Sequence, residues 1–159
     1  MQMDVEASLE GLEKLPGIVR KYFSNIPPEV LDLRRKKDAW TIREHLYHIV
    51  SVQDMLLKRI EKIRDEEHPV ITPYFPEKQA DQDKLYSSVE EALAEYQSMR
   101  KRQLDVIKVL PEAAYARAAI HPEYTSYSIP IIISHMVFHE NWHMYRIEEL
   151  WLTRDEFLS

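Results

Sequence analysis

Cysteine is absent from the 159-residue chain, and only two glycines occur in it. Without cysteine the chain can neither form a disulfide nor supply a thiol nucleophile, so any metal must be held by nitrogen and oxygen ligands. The scarcity of glycine disfavours glycine-rich phosphate-binding loops and β architectures that are dense in hairpins. These absences exclude disulfide-stapled scaffolds and nucleotide-binding loops and favour a helical protein.

Long apolar runs and an excess of positive charge are also missing. No stretch approaches the roughly 20 apolar residues of a membrane span, and the first residues do not have a signal-peptide pattern. The formal net charge of −6 opposes binding to nucleic-acid backbones. We therefore expect a cytoplasmic protein without a membrane or nucleic-acid partner, and residues 1–159 are expected to form one domain.

Four segments have apolar residues at intervals of three and four, the period of an amphipathic helix. They cover residues 4–25, 41–66, 87–110 and 128–152. Within the first, Pro16 and Gly17 should kink the helix or break it into two pieces. Thr41 and Glu44 fit a capping box at the start of the second. Residues 68–86 contain three prolines and no periodicity, which predicts a long crossover between helices two and three.

Three histidines lie at successive four-residue intervals in the last predicted helix: His135, His139 and His143. Neighbouring members lie on one face, about 6 Å apart along the helix axis, close enough for two imidazoles to bind one metal ion. Since His135 and His143 lie about 12 Å apart along the axis, all three cannot bind the same ion without strain. One of the three histidines is therefore spare, meaning that it is not a ligand of that ion, and the spacing alone does not show which one it is.

A second pair of histidines, His45 and His48, lies in the second predicted helix. Two helices that each present histidines toward an apolar flank can build a metal site inside a bundle. Three neutral imidazoles would leave coordination positions open, as in a catalytic site, and Zn, Ni or Fe all accept such ligands. The competing interpretation is that these histidines pack at helix interfaces without metal, the commoner role for a single buried histidine.

The segments around these histidines resemble the DinB/YfiT-like superfamily. The resemblance rests on Trp40-Thr-Ile-Arg-Glu-His45-Leu-Tyr-His48, on the long middle connection and on His139-Glu-Asn-Trp-His143-Met-Tyr-Arg-Ile, and it spans the whole chain. It implies an all-α four-helix bundle in up-down-down-up order. It also implies a divalent metal ion, most often Ni or Zn, bound by His48, His139 and His143. His45 and His135 then become neighbours of the site, and His135 is the spare histidine.

The resemblance specifies the metal site better than the reaction. Characterised members include S-transferases that use bacillithiol, mycothiol or related thiols, and others are described as metal-dependent hydrolases. We expect a metal-dependent enzyme with a small-molecule substrate, and we slightly favour thiol-dependent transfer over hydrolysis. A non-catalytic metal-binding bundle is the alternative from another class.

No catalytic residue can be named from the sequence. Glu44, Glu140 and Tyr47 are close to the histidines along the chain, but each is expected to lie on the surface or behind a ligand. Glu140 should project about 100° away from His139 around the helix, so it should not face the same ion.

Apolar residues near the C-terminus exceed what one small bundle is expected to bury. They are Trp142, Trp151, Leu152 and Phe157. The sequence therefore predicts a homodimer formed through helix faces.

Overall fold

The computed structural model describes residues 4–74 and 86–158. Its long helices are α1 (Val5–Phe23), α2 (Ile42–Asp65), α3 (Val89–Lys108) and, after the short helix α4 (Glu112–Ala116), α5 (Ile129–Leu152). Two antiparallel strands of two residues each, β1 (Ala118–Ala119) and β2 (Tyr127–Ser128), precede α5. Single 3-10 turns lie at Pro28–Val30 and Asp155–Phe157. The predicted all-α four-helix bundle is confirmed.

The start of α2 is fixed by the predicted capping box. The Glu44 backbone N–H donates to the Thr41 hydroxyl at 3.2 Å, and the Thr41 N–H donates to the Glu44 carboxylate at 2.7 Å. Each side chain thus satisfies a backbone group that the first turn of a helix leaves unpaired. Because the helix begins at a defined residue, the directions of His45 and His48 are defined as well.

Helix α1 does not break at its proline. It is continuous from Val5 to Phe23, and Pro16 is a buried residue within it. The expectation of two shorter pieces is therefore wrong, while a bend at this point stays a prediction. Pro16 gives up one backbone hydrogen bond, but α1 packs against both α3 and α5, and this burial offsets the loss.

Helix α2 lies between α3 and α5 and has a different direction relative to each. Between α2 and the segment of α3, residue numbers rise in the same direction on both sides of the contact. The Tyr47 hydroxyl donates to the Tyr86 carbonyl, and the Gln103 side chain donates to the Gln53 carbonyl. Between α2 and α5 the residue numbers rise in opposite directions, because His45 meets His143 and His48 meets His139. The up-down-down-up order stays a prediction, and these are the pairings that it requires.

The apolar core consists of two groups of buried side chains, one at each end of the bundle. One surrounds Phe23, Leu46 and Tyr96, and the other surrounds Leu56, Ile60 and Ile132. The histidines of α2 and α5 lie on the side of the bundle where these two helices face each other. None of the described helices has the length and apolar character needed to cross a membrane.

The beginning of the predicted crossover is tied to the segment before α5. Ile71 donates its backbone N–H to Ile120 at 2.8 Å, and Ile120 donates to Pro69 at 2.8 Å. The middle of the crossover, residues 75–85, lies outside the described residues. The segment up to Tyr74 therefore runs along α2 toward the histidines, and the ring of Tyr74 lies 6.0 Å from that of His48.

Candidate metal centre

The antiparallel pairing of α2 and α5 brings His48, His139 and His143 together. The Nε2 atom of His139 lies 3.2 Å from Nε2 of His48 and 3.1 Å from Nε2 of His143. Within residues 4–74 and 86–158, these three form the cluster of histidine and carboxylate side chains close enough to hold one ion, with all ligand atoms within 4.8 Å of one another. His135, one turn before His139, stacks on the His139 ring at 5.6 Å and is not part of that cluster.

The two separations from Nε2 of His139, 3.2 and 3.1 Å, are close to those expected for ligands of one divalent ion. Nitrogens that share a tetrahedral ion at about 2.1 Å lie about 3.4 Å from one another. Because Nε2 of His139 carries either one proton or one lone pair, it cannot form a full hydrogen bond to both neighbouring nitrogens in the same tautomer. A divalent cation at the point of convergence would accept a lone pair from each ring, and the donor set of three nitrogens suits Zn, Ni or Fe.

Burial keeps the imidazoles of His139 and His143 uncharged. It lowers the pKa of His143 to about 2, and the neighbouring His139, His48 and His45 add to the effect. It lowers the pKa of His139 to about 3, with His48 and His135 contributing. Since only a neutral imidazole has a lone pair to give, the site presents its ligands in the form that a metal requires.

His45 lies behind the cluster and contacts the far side of His143. The Nδ1 atoms of the two rings are 2.8 Å apart, whereas Nε2 of His143 faces His139. Burial, followed by the positive charge of Arg146, lowers the pKa of His45 to about 4, so this ring is neutral as well. His45 is therefore placed to orient His143, the usual role of a partner on the second nitrogen of a ligand.

One side of the cluster opens into a cavity with aromatic walls. Its volume is about 510 Å³, and its lining includes Trp40, Trp142 and Arg146 together with the histidines of the cluster. The ring of Trp40 stacks on that of His143, with centroids 5.8 Å apart and planes inclined by 14°. This aromatic cavity can hold an apolar group next to the three Nε2 atoms.

A second, smaller cavity of about 190 Å³ reaches the cluster from the other side. His48 and His139 form one wall, and the other walls include Arg59, His121 and His135. The His121 ring packs against Tyr124 and Tyr127, each at 4.7 Å, and the two tyrosine rings also contact each other at 5.1 Å. This polar cavity differs from the aromatic one in both size and chemistry.

Sequence reasoning did not find the polar cavity. The sequence gives His121 no pattern that marks it as part of a site, and it leaves His135 as the spare member of the series on α5. The contact between the segments 69–71 and 118–121 brings His121 over α2 and α5. No local spacing encodes that contact, although the many polar and aromatic residues of the loop 121–127 were a signal that could have been followed.

Glu140 faces away from the histidines and is fully buried between α2, α3 and α5. Its carboxylate accepts hydrogen bonds from the Tyr96 hydroxyl, from Arg100 and, at 2.9 Å, from Gln53. Burial, with the Glu140 charge beside it, raises the pKa of Tyr96. The sequence placed Glu140 off the metal face but gave no sign of these buried partners, because α3 showed only its apolar stripe.

Of the four apolar residues near the C-terminus that one bundle was not expected to bury, one packs against the bundle and three are exposed. Trp151 is used within the bundle, where its ring meets that of Tyr22 edge to face at 5.5 Å. Trp142, Leu152 and Phe157 are exposed, as are Phe138 and Tyr145 on α5.

Comparison with known proteins places the chain among related bacterial proteins. Residues 12–147 match the family model of the DinB superfamily. The chain is 26% identical over 147 residues to a "Putative metal-dependent hydrolase" of Oceanobacillus iheyensis, covering 92% of this chain and 86% of that protein. It is 23% identical over 146 residues to a protein with the same description from Bacillus cereus, covering 92% and 84% of the two chains.

A solved structure has the same fold. It is that of YfiT from Bacillus subtilis, described as "a probable metal-dependent hydrolase with an unusual four-helix bundle topology". The TM-score is 0.80 at 21% sequence identity, over 92% of this chain and 85% of that one.

Proposed function

The chain belongs to the DinB superfamily, and from that premise we propose that it is a divalent-metal enzyme whose ion is bound by His48, His139 and His143. The observation that carries the proposal is the convergence of the imidazoles of one histidine from α2 and two from α5. Zn and Ni are the first candidates for the ion, and Fe is the next. The names of the relatives, as metal-dependent hydrolases, support the same conclusion.

Three protein ligands leave coordination positions free, which distinguishes a catalytic site from a closed structural one. A divalent ion in this position supplies a Lewis acid that lowers the pKa of a bound water or thiol. The chain's own residues hold the ligands: with Nε2 of His143 toward the ion, its proton is on Nδ1 and is donated to Nδ1 of His45. Trp40, stacked on His143, and Trp142, edge to face with His143, form aromatic walls beside this ligand.

Two reactions on a small-molecule electrophile suit this site, hydrolysis and transfer to a low-molecular-weight thiol. The names of the relatives favour hydrolysis. The presence of two cavities on different sides of the histidine cluster favours transfer, because a thiol and an electrophile could approach it separately. The chain lacks cysteine, so the thiol would have to be a second substrate.

The test is to load the purified protein separately with Zn and Ni and to measure two activities. One arm offers a panel of esters and amides without thiol, and the other offers a model electrophile with bacillithiol, glutathione or coenzyme A. Hydrolysis that depends on the metal and needs no thiol assigns a hydrolase, and metal-dependent conjugation alone assigns a transferase. Metal binding without either activity would contradict the enzyme proposal and leave a metal-binding bundle.

We also propose that the protein is a homodimer. Phe138, Trp142 and Tyr145 form an exposed apolar stripe on α5 at spacings of four and three residues, which supports an interface on that face. Sedimentation should give twice the 19.0 kDa mass of one chain. The Phe138→Glu variant should shift the mass toward that of one chain, and a single-chain mass for the unchanged protein at all concentrations would refute the dimer.

A further inference from the structure

We propose that the polar cavity beside the histidine cluster binds a carboxylate group of the substrate, with Arg59 as the cation that receives it. The inference rests on the proposed function, because it concerns the same site. It names the substrate class: a small molecule with a carboxylate close to its electrophilic carbon.

Arg59 contributes a positive charge that forms no ion pair with an acidic side chain of the described residues. Its guanidinium donates to the Tyr127 hydroxyl at 3.0 Å and to the Thr72 carbonyl at 2.8 Å, and it lies 5.9 Å from the Tyr127 ring centroid. All of these partners are neutral. A half-buried guanidinium held by neutral oxygens keeps its attraction for an anion, since little of its charge is compensated and water screens it only in part.

His121 adds a hydrogen-bond donor to the same cavity. Its Nδ1 accepts the Glu123 backbone N–H at 3.2 Å, so the proton of the neutral ring must be on Nε2. The ring is buried, and it packs against both Tyr124 and Tyr127, which also contact each other. A carboxylate in the cavity therefore finds an arginine and a histidine N–H on its walls.

The size and position of the cavity limit what can bind there. A volume of about 190 Å³ is smaller than the roughly 300 Å³ at which pockets for drug-sized ligands begin, so only a small group fits. Because His48 and His139 form part of the wall, the bound group lies next to two proposed metal ligands. Glu123 also lines the polar cavity, as an exposed carboxylate that makes no ion pair with Arg59.

The experiment measures binding of an anion to metal-free protein, so its outcome is independent of the metal and of turnover. Histidine rings are labelled with isotope and followed by NMR while sodium propionate is added, and propionamide serves as a neutral analogue of the same shape. We expect the His121 and His135 signals to shift along a saturable curve with propionate and not with propionamide. Arg59→Gln should weaken propionate binding at least tenfold.

Two further variants test whether weaker propionate binding by Arg59→Gln is caused by the lost positive charge at this position. Arg59→Lys retains the charge and should restore part of the binding, which separates loss of the anion partner from a change in the fold. Arg64→Gln removes an arginine from the same helix that is paired with Asp65 and does not line the cavity, and it should bind propionate normally. Equal shifts with propionamide, or unchanged affinity in Arg59→Gln, would overturn the carboxylate subsite. Failure of the metal experiments would leave this result unaffected.

Discussion

His45 and His48 lie three positions apart on α2, yet they meet different atoms of α5. His48 presents Nε2 to the point where His139 and His143 converge, whereas His45 reaches Nδ1 on the far side of His143. The first arrangement suits a metal ligand and the second suits a residue that orients one. The two histidines should therefore respond differently to substitution.

We predict that His45→Ala weakens metal binding by about 10- to 100-fold without abolishing it, because His143 loses the partner that fixes its ring. The measurement is the Kd for Zn, obtained by competition with a chelator of known affinity. His68→Ala, which removes an exposed histidine, is the control and should leave the Kd unchanged. Unaltered affinity in His45→Ala would mean that the contact between the two rings does not support the site.

At the scale of the helices, the buried carboxylate of Glu140 links α5 to α2 and α3 through hydrogen bonds and an ion pair. It binds Gln53 of α2 and both Tyr96 and Arg100 of α3, and the Arg100 and Glu140 side chains are 3% and 1% exposed. A buried charge that loses its partner is costly, since neither water nor another charge compensates it. This network holds α5, and with it His139 and His143, in a fixed register against α2.

We predict that Glu140→Gln lowers the free energy of unfolding by about 3 kcal/mol or more, because Arg100 is left as a buried, uncompensated cation. Chemical denaturation followed by circular dichroism measures this change. Glu148→Gln alters an exposed glutamate on the same helix and should stay within about 0.5 kcal/mol of the unchanged protein. If the two variants were equally stable, the buried pair would not be a determinant of the bundle.

The elements themselves were largely predictable, because their signals are local. The capping box of Thr41 and Glu44 and the apolar periodicity set the start of α2 within one residue. Pro16 shows the limit of such reasoning: its intrinsic cost predicted a kink or a break, and the helix does not break, because burial in the bundle outweighs a single lost hydrogen bond. The partners of Glu140 and the position of His121 depend on contacts between distant segments, and no local pattern records them.

At the scale of the whole molecule, folding keeps several histidines neutral. Burial and neighbouring positive or imidazole groups lower the pKa of His45 to about 4, of His139 to about 3 and of His143 to about 2. In the unfolded chain these groups titrate near 6.5. Below that pH the unfolded state takes up protons that the folded, metal-free protein does not, so acid favours unfolding.

We therefore predict that the free energy of unfolding of the metal-free protein falls as the pH is lowered from 7 toward 4. Urea denaturation at several pH values measures it, and His143→Ala should show a smaller slope because one of the depressed groups is removed. Between pH 7 and 5.5 few carboxyl groups titrate, so that range isolates the histidines. A constant free energy over this range would show that the three rings are not held neutral by the fold.

The central claim is that His48, His139 and His143 bind one divalent ion and that His135 does not. Each of the four is changed to Ala, the variants are reconstituted with Zn or Ni, and metal per folded chain is measured by elemental analysis, with circular dichroism to confirm the helical fold. We predict about one ion per chain for the unchanged protein and for His135→Ala, and loss of the ion in the other three variants. Loss of the metal in His135→Ala together with its retention in His143→Ala would contradict the account.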